Sequence, residues 1–179
     1  MLMGVEMKEL ILGGARSGKS IYAERSASDC SKKNQKKLIY VATATAGDTE
    51  MSLRIQEHRA RRDAQWLLVE EPLDLGAVIN RYSSDDYCIL IDCLTLWLNN
   101  ALFLGEWQAL RASFFEAFAS SNAELYLVSN EVGLGVVPMG ELSRQFVDEA
   151  GYLHQDLAMQ CDSVMLIVAG LPVVVKSKQ

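Results

Sequence analysis

Six apolar runs of strand length recur along this sequence, and each is apolar almost throughout rather than at every second position. They are "ELIL" (Glu9–Leu12), "KLIYVAT" (Lys37–Thr43), "WLLVE" (Trp66–Glu70), "YCILID" (Tyr87–Asp92), "ELYLVS" (Glu124–Ser129) and "SVMLIV" (Ser163–Val168). A strand with one wet face alternates apolar and polar residues. A strand that is apolar on both faces must be covered on both, which is the situation in a parallel sheet. Parallel neighbours need long crossovers, and stretches of helical spacing lie between the runs: Lys19 to about Asp29, about Thr49 to Arg62, and Met139 to Cys161. In the last of these, Leu142, Phe146, Ala150, Leu153 and Leu157 fall three or four residues apart, which predicts an amphipathic helix lying on the sheet. The pattern predicts a single three-layer α/β domain over residues 1–179, with helices on both faces and ligands beyond the C-terminal ends of the strands.

Composition narrows the partners. Half of the 179 residues are hydrophobic, enough for a substantial core. The net charge of −6 argues against nucleic acid, which would call for a broad basic face, but not against a nucleotide, which needs only a local positive pocket. Four cysteines (Cys30, Cys88, Cys93, Cys161) form no CxxC pair and read as buried thiols of a reducing compartment. Glu6 and Glu9 interrupt the N-terminus, so no export signal is expected. "VMLIVAGLPVVV" from Val164 is too short to span a bilayer, is broken by Gly170 and Pro172, and reads as a buried strand followed by a turn. A soluble, cytoplasmic protein is expected.

"GGARSGKS", from Gly13 to Ser20, fits the phosphate-cradling pattern G-x-x-x-x-G-K-[ST], with a strand before it and helical spacing after it. Gly13 and Gly18 permit the backbone to turn successive N–H groups onto an anion. Lys19 supplies a point charge for the β- and γ-phosphates, and the Ser20 hydroxyl is a Mg²⁺ ligand in such loops. Asp92 ends an apolar strand, where a carboxylate can hold the same Mg²⁺; capping the next helix is the plainer alternative.

"EMSLRIQEHRARR" gathers Arg54, Arg59, Arg61 and Arg62 around His58 in an otherwise acidic chain. On a helix, Arg54, His58 and Arg61 or Arg62 share one face. A solvated basic face is one reading. The other is an anion-binding face whose cations keep the imidazole neutral, and so able to attack phosphorus, while the arginines offset phosphoryl charge. His154, beside Leu153 on the long helix, reads first as structural, with a place beside the substrate as the alternative. In "VSNEVGLGVVP" the glycines predict a tight loop after a strand; Asn130 and Glu131 read either as groups facing the site or as residues set by turn chemistry alone.

Taken together, "GGARSGKS", "YVATA", "EMSLRIQEHRARR" followed by Trp66, "LIDCLTLWLNN", "VSNEVGLGVVP", "LSRQF" with Asp148 and Gly151, and "AGLP" resemble the bifunctional adenosylcobinamide kinase/adenosylcobinamide-phosphate guanylyltransferases of cobalamin assembly. They appear in that family's order from about residue 10 to residue 172, and the "HRARR" and "NEVGLGVVP" stretches are the most specific. The resemblance implies a RecA-like P-loop NTPase fold and a homotrimer with sites near subunit interfaces. It implies phosphorylation of adenosylcobinamide with ATP or GTP, then transfer of GMP from GTP through a guanylyl-histidine to give adenosylcobinamide-GDP. By motif position the catalytic residues are His58 and Lys19. The implied nucleotide contacts are Gly13, Gly14, Ala15, Arg16, Ser17, Gly18, Lys19, Ser20, Ala42, Thr43, Ala44, Arg59, Ala60, Arg61, Arg62, Glu70 and Asp92, with Ser20 and Asp92 on Mg²⁺.

Val147 and His154 stand where the family tends to have an arginine and an asparagine, both away from the phosphate motifs. A monofunctional small-molecule kinase, with His58 and its arginines serving only as a phosphate clamp, is the alternative. A nucleotide-dependent switch that binds without transferring is a third reading. Neither nucleic acid nor a membrane span enters any of them.

Overall fold

The computed structural model describes residues 7–44 and 65–177. Their order is β1 (Lys8–Gly13), α1 (Lys19–Asn34), β2 (Lys37–Ala42), β3 (Trp66–Glu70), α2 (Leu75–Arg81), β4 (Tyr87–Asp92), α3 (Leu94–Leu104), α4 (Trp107–Ser120), β5 (Glu124–Asn130), α5 (Glu141–Gln160), β6 (Ser163–Val168) and β7 (Leu171–Lys176). The helical stretch expected from about Thr49 to Arg62 lies outside the described residues.

Seven strands form one sheet in the order β3-β2-β4-β5-β1-β6-β7. Every pairing is parallel except that of β7 with β6. All six expected strands are present. The last apolar run divides in two: Ala169 (φ 51) and Gly170 (φ 81) turn the chain in the left-handed region, and the expected turn leads into the antiparallel edge strand β7. Pro172 is tolerated there because an edge strand can lack one ladder donor.

Successive strand residues point to opposite faces, and the core divides accordingly. On one face Leu10, Ile39, Val41, Ile89, Ile91, Leu125 and Leu127 pack against buried residues of α2, α3, α4 and α5. On the other, Ile11, Leu38, Tyr40, Leu90, Tyr126 and Val128 meet Ala23 and Ala27 of α1. This is the expected three-layer arrangement. The stripe on α5 is shorter than expected: Leu142 is 80% exposed, and burial is complete only from Ala150 to Leu157. The first turns of α5 lie outside the core, so the apolar period there continues without a surface to bury it. Cys88, Cys93 and Cys161 are buried free thiols, whereas Cys30 is only partly buried.

Trp97 sits where α3, α4 and the loop before α2 converge. Its ring lies 5.1 Å from Trp107 and 5.0 Å from Phe114, and its indole N–H donates to the Leu73 carbonyl at 2.6 Å. It is fully buried, so truncation leaves both a cavity and an unmatched carbonyl. Trp97→Ala is expected to lower unfolding free energy by about 3–5 kcal/mol in urea titrations. A loss well under 1 kcal/mol would mean this cluster does not anchor the α3 layer.

Candidate active site

The C-terminal edge of the sheet collects the chemistry-bearing groups because every parallel strand ends there. β1 ends at Gly13, and a Cβ at that position would lie 2.5 Å from Ser17 Oγ and 2.8 Å from the Ile167 carbonyl oxygen, so a side chain does not fit. Arg16 (φ 57) and Gly18 (φ 95) both adopt left-handed backbone, the kind of alternation that turns N–H groups toward one concavity. Neighbouring loops hold this turn in place. The Glu131 N–H donates to the Gly13 carbonyl at 3.1 Å, and the Gly170 N–H donates to the Ser17 carbonyl at 2.8 Å.

Lys19 opens α1 and folds back over the loop, its ammonium donating to the Gly14 carbonyl at 3.1 Å. It is 8% exposed. Burial lowers its pKa, and the nearby Asp92 carboxylate opposes that shift. Thus the lysine of the glycine loop and the aspartate of β4, assigned from sequence to the phosphates and to Mg²⁺, share one electrostatic environment.

Asp92 ends β4 and accepts a hydrogen bond from the Tyr40 hydroxyl at 2.8 Å. Glu70, Ala42 and Asp92 form one row across β3, β2 and β4. Just beyond that row Thr43 is fully buried, with its hydroxyl donating to the Cys93 carbonyl at 2.8 Å and accepting from the Cys93 N–H at 2.9 Å. That reciprocal pair fastens the end of β2 to the residue after Asp92. Asn100 reinforces it by donating to the Thr43 and Pro72 carbonyls at 3.1 and 3.2 Å.

β5 contributes a third group. Asn130 donates to the Thr95 hydroxyl at 2.8 Å, tying the tip of β5 to the turn that follows Asp92. Behind it, His154 Nε2 lies 2.7 Å from Ser129 Oγ, and Nδ1 lies 3.9 Å from a Glu131 carboxylate oxygen. Burial pushes the His154 pKa below its ordinary value, with Glu131 pulling the other way. His154 is therefore a buried strut beneath the Asn130–Glu131 loop, as its position beside Leu153 suggested.

Gly13 to Ser20 thus form one loop facing the row that ends in Asp92. Ala44 is the last described residue of its segment, while His58, Arg59, Ala60, Arg61 and Arg62 lie outside the described residues. Tyr40, Thr95, Asn100 and Ser129 were not singled out from sequence. Each reads locally as an ordinary strand or helix residue, and only pairing across the sheet edge brings it to the site.

A glycine loop between β1 and α1, a lysine on that helix and an aspartate at the tip of a strand separated from β1 by one other define a RecA-like P-loop fold. The flagellar accessory protein FlaH from Methanocaldococcus jannaschii has a similar fold, with a TM-score of 0.52 at 13% identity over 96% of this chain and 79% of that one. Within that class the family is specific: the model for CobU, cobinamide kinase / cobinamide phosphate guanyltransferase, matches residues 9–175, and this chain belongs to that family. It is 51% identical to the bifunctional adenosylcobalamin biosynthesis protein CobP of Pseudomonas aeruginosa, over 96% of this chain and 99% of the relative. To the corresponding CobU of Escherichia coli it is 36% identical, over 95% of this chain and all of the relative.

The depressed His154 pKa gives a signed pH effect. Unfolding returns the ring to its ordinary value near 6.5, so below that pH the unfolded chain binds more protons than the folded one. The neutral ring's contribution to stability is complete above this value and is lost as pH falls through it, levelling once the folded ring protonates as well. His154→Asn removes the titration, and its urea midpoint is expected to fall less than that of wild type between about pH 7 and about pH 5. Parallel curves would show that His154 does not titrate differently on unfolding.

Proposed function

We propose that this chain carries out two successive reactions in cobalamin assembly. It phosphorylates adenosylcobinamide from ATP or GTP, then transfers GMP from GTP onto that phosphate, yielding adenosylcobinamide-GDP and pyrophosphate. The match to a bifunctional family's model across residues 9–175 carries this reading, and the geometry of the glycine loop supports it.

In the first reaction the loop from Gly13 to Ser20 binds the triphosphate through backbone N–H groups, with Lys19 exchanging the Gly14 carbonyl for phosphate oxygens. The substrate hydroxyl forms a bond to the γ-phosphorus as the bond to the β-phosphate oxygen breaks. Such a transfer depends mainly on positioning and charge neutralisation. The Ser20 hydroxyl and Asp92 carboxylate are the hard oxygen donors that Mg²⁺ favours, and the Tyr40 hydrogen bond holds one Asp92 oxygen in place. Mg²⁺ bound by these two residues would neutralise charge on the β- and γ-phosphates.

In the second reaction a nitrogen of His58 attacks the α-phosphorus of GTP, releasing pyrophosphate and leaving GMP on the ring. A phosphate oxygen of the corrinoid substrate then displaces the histidine. Arg59, Arg61 and Arg62 offset charge on the α-phosphate. Ala42, Thr43, Ala44, Ala60 and Glu70 complete the nucleotide surroundings in this reading.

A homotrimer completes the proposal, supported by the apolar exposure of β7, where Leu171, Val173, Val174 and Val175 are each about half exposed or more. The cytoplasm, where ATP and GTP are supplied, is the proposed location, and the four free thiols accord with a reducing compartment.

Asp92→Asn keeps the shape and one acceptor but removes the charge that Mg²⁺ requires. Turnover at limiting Mg²⁺ is expected to fall about 10- to 100-fold with little change in melting temperature. Full activity under those conditions would make Asp92 a structural residue.

His58→Ala is expected to abolish attachment of label from α-labelled GTP to the protein and transfer of GMP, while phosphorylation of adenosylcobinamide persists. Label at wild-type stoichiometry on the folded variant would remove His58 as the nucleophile. Wild-type protein that phosphorylates the corrinoid but never takes up α-label would leave a kinase alone.

A further inference from the structure

β5 ends in a side chain to which neither reaction has yet given a role. Asn130 is the last residue of that strand and stands level with Gly13 of β1, one strand spacing or about 4.8 Å away. The next N–H, that of Glu131, donates to the Gly13 carbonyl at 3.1 Å. On its other side β5 pairs with β4, where Asp92 stands level with Val128. Level residues share a face and side chains alternate along a strand, so Asp92, Val128 and Asn130 project from the same face. It is the face that carries α1, because Val128 packs in one cluster with Ala23 and Ala27. Asn130 therefore stands between the glycine loop and the strand of Asp92, on the side where Lys19 opens α1.

One half of its amide is committed and the other is not. Nδ2 donates to the Thr95 hydroxyl at 2.8 Å, and that hydroxyl lies 3.1 Å from the buried Cys93 sulfur. Thr95 is itself buried in the first turn of α3, so this clamp is sheltered from water. Oδ1 accepts no hydrogen bond from the described residues, and Asn130 is only partly buried. An amide oxygen is an acceptor with no proton of its own. It repels phosphate oxygens, which are acceptors too, and suits a group that brings a hydrogen, such as an alcohol.

We propose that Asn130 aims the attacking alcohol in the phosphorylation step, Oδ1 accepting the substrate hydroxyl's hydrogen bond while Thr95 holds the amide in place. This rests on the two-reaction reading above. With its proton turned to Oδ1, the hydroxyl presents a lone pair to the γ-phosphorus of the nucleotide on the glycine loop. The O–P bond forms, the bond from phosphorus to the β,γ-bridging oxygen breaks, and that oxygen keeps the electron pair as the diphosphate leaves. The hydroxyl proton goes to water, because a neutral amide is too weak a base to keep it. Holding the nucleophile in line is the main requirement of such a transfer. GMP transfer makes no such demand on Asn130. Its attacking atoms are an imidazole nitrogen and a phosphate oxygen, and neither carries a hydrogen to give to Oδ1.

The test measures both reactions on the same folded chains: phosphorylation of adenosylcobinamide from γ-labelled ATP or GTP, and GMP transfer from α-labelled GTP to adenosylcobinamide phosphate. Asn130→Leu is close in size but has no acceptor. It is expected to lower kcat for phosphorylation about 100-fold, with the nucleotide KM changed less than about threefold and GMP transfer retained. Thr95→Val should lower the same kcat about 10-fold, the worth of one hydrogen bond, and Thr95→Ser should restore it. Phosphorylation at the wild-type rate in Asn130→Leu would overturn the assignment. So would a parallel fall in both reactions, or a change confined to the nucleotide KM, since either would put Asn130 on the nucleotide instead. Where Asn130→Leu does not fold, the Thr95 pair decides: Thr95→Val at the wild-type rate, or Thr95→Ser no better than Thr95→Val, overturns it. Wild-type protein that phosphorylates no adenosylcobinamide would remove the first reaction itself, and this role with it, before any variant is made.

Discussion

The parallel pairing of β5 between β1 and β4 is the contact on which the site depends. Gly13 lies opposite Asn130 and Asp92 opposite Val128, so β5 sets how far the glycine loop stands from the carboxylate. Two strand spacings amount to about 10 Å, wide enough for phosphates between the two ends and close enough for Lys19 and Asp92 to influence each other. Because side chains alternate with a period of two, a one-residue slip of β5 would exchange its two core faces. The packing of Leu125 and Leu127 on one face and of Tyr126 and Val128 on the other therefore fixes the separation of the charged groups.

The edge is rigid because its buried polar atoms are paired with one another. Thr43 and Cys93 exchange hydrogen bonds, Asn100 reaches two carbonyls from α3, and Ser129 meets His154 from α5. Elements far apart in sequence thus share polar contacts in the same rim, and unpairing any of them in the interior costs about 1–3 kcal/mol. Ser17 Oγ is a buried exception, without a partner among the described residues. Its place inside the glycine loop, beside backbone turned toward a concavity, suits a donor reserved for an anion.

Along the edge strand and in the segment after β5 the fold leaves apolar surface uncovered. β7 is exposed along its whole length and carries Leu171, Val173, Val174 and Val175. Residues 134–142 add Leu134, Val136, Val137, Met139 and Leu142, all strongly exposed. An exposed apolar edge strand invites pairing or cover. The apolar period of α5 runs past the point where its own chain supplies a core, which is why Leu142 looked buried from sequence and is not.

Much of the architecture was legible because it rests on local regularities. Non-alternating apolar runs announce strands covered on both faces, and all six stand in the structure with their bounds shifted by at most one residue; the glycine loop lies, as its pattern requires, between a strand and a helix. The motif order also pointed to the family, since short segments such as "VSNEVGLGVVP" constrain backbone and side chains together. Sequence alone could not supply the strand order, the antiparallel return of β7, or the partners Tyr40, Thr95, Asn100 and Ser129. Nor could it bring Asn130 to Thr95 and Cys93. Local patterning records which faces must be buried, because burial is decided residue by residue. Which distant residues meet is decided by the packing of the whole sheet, where register and strand order turn separate segments into neighbours.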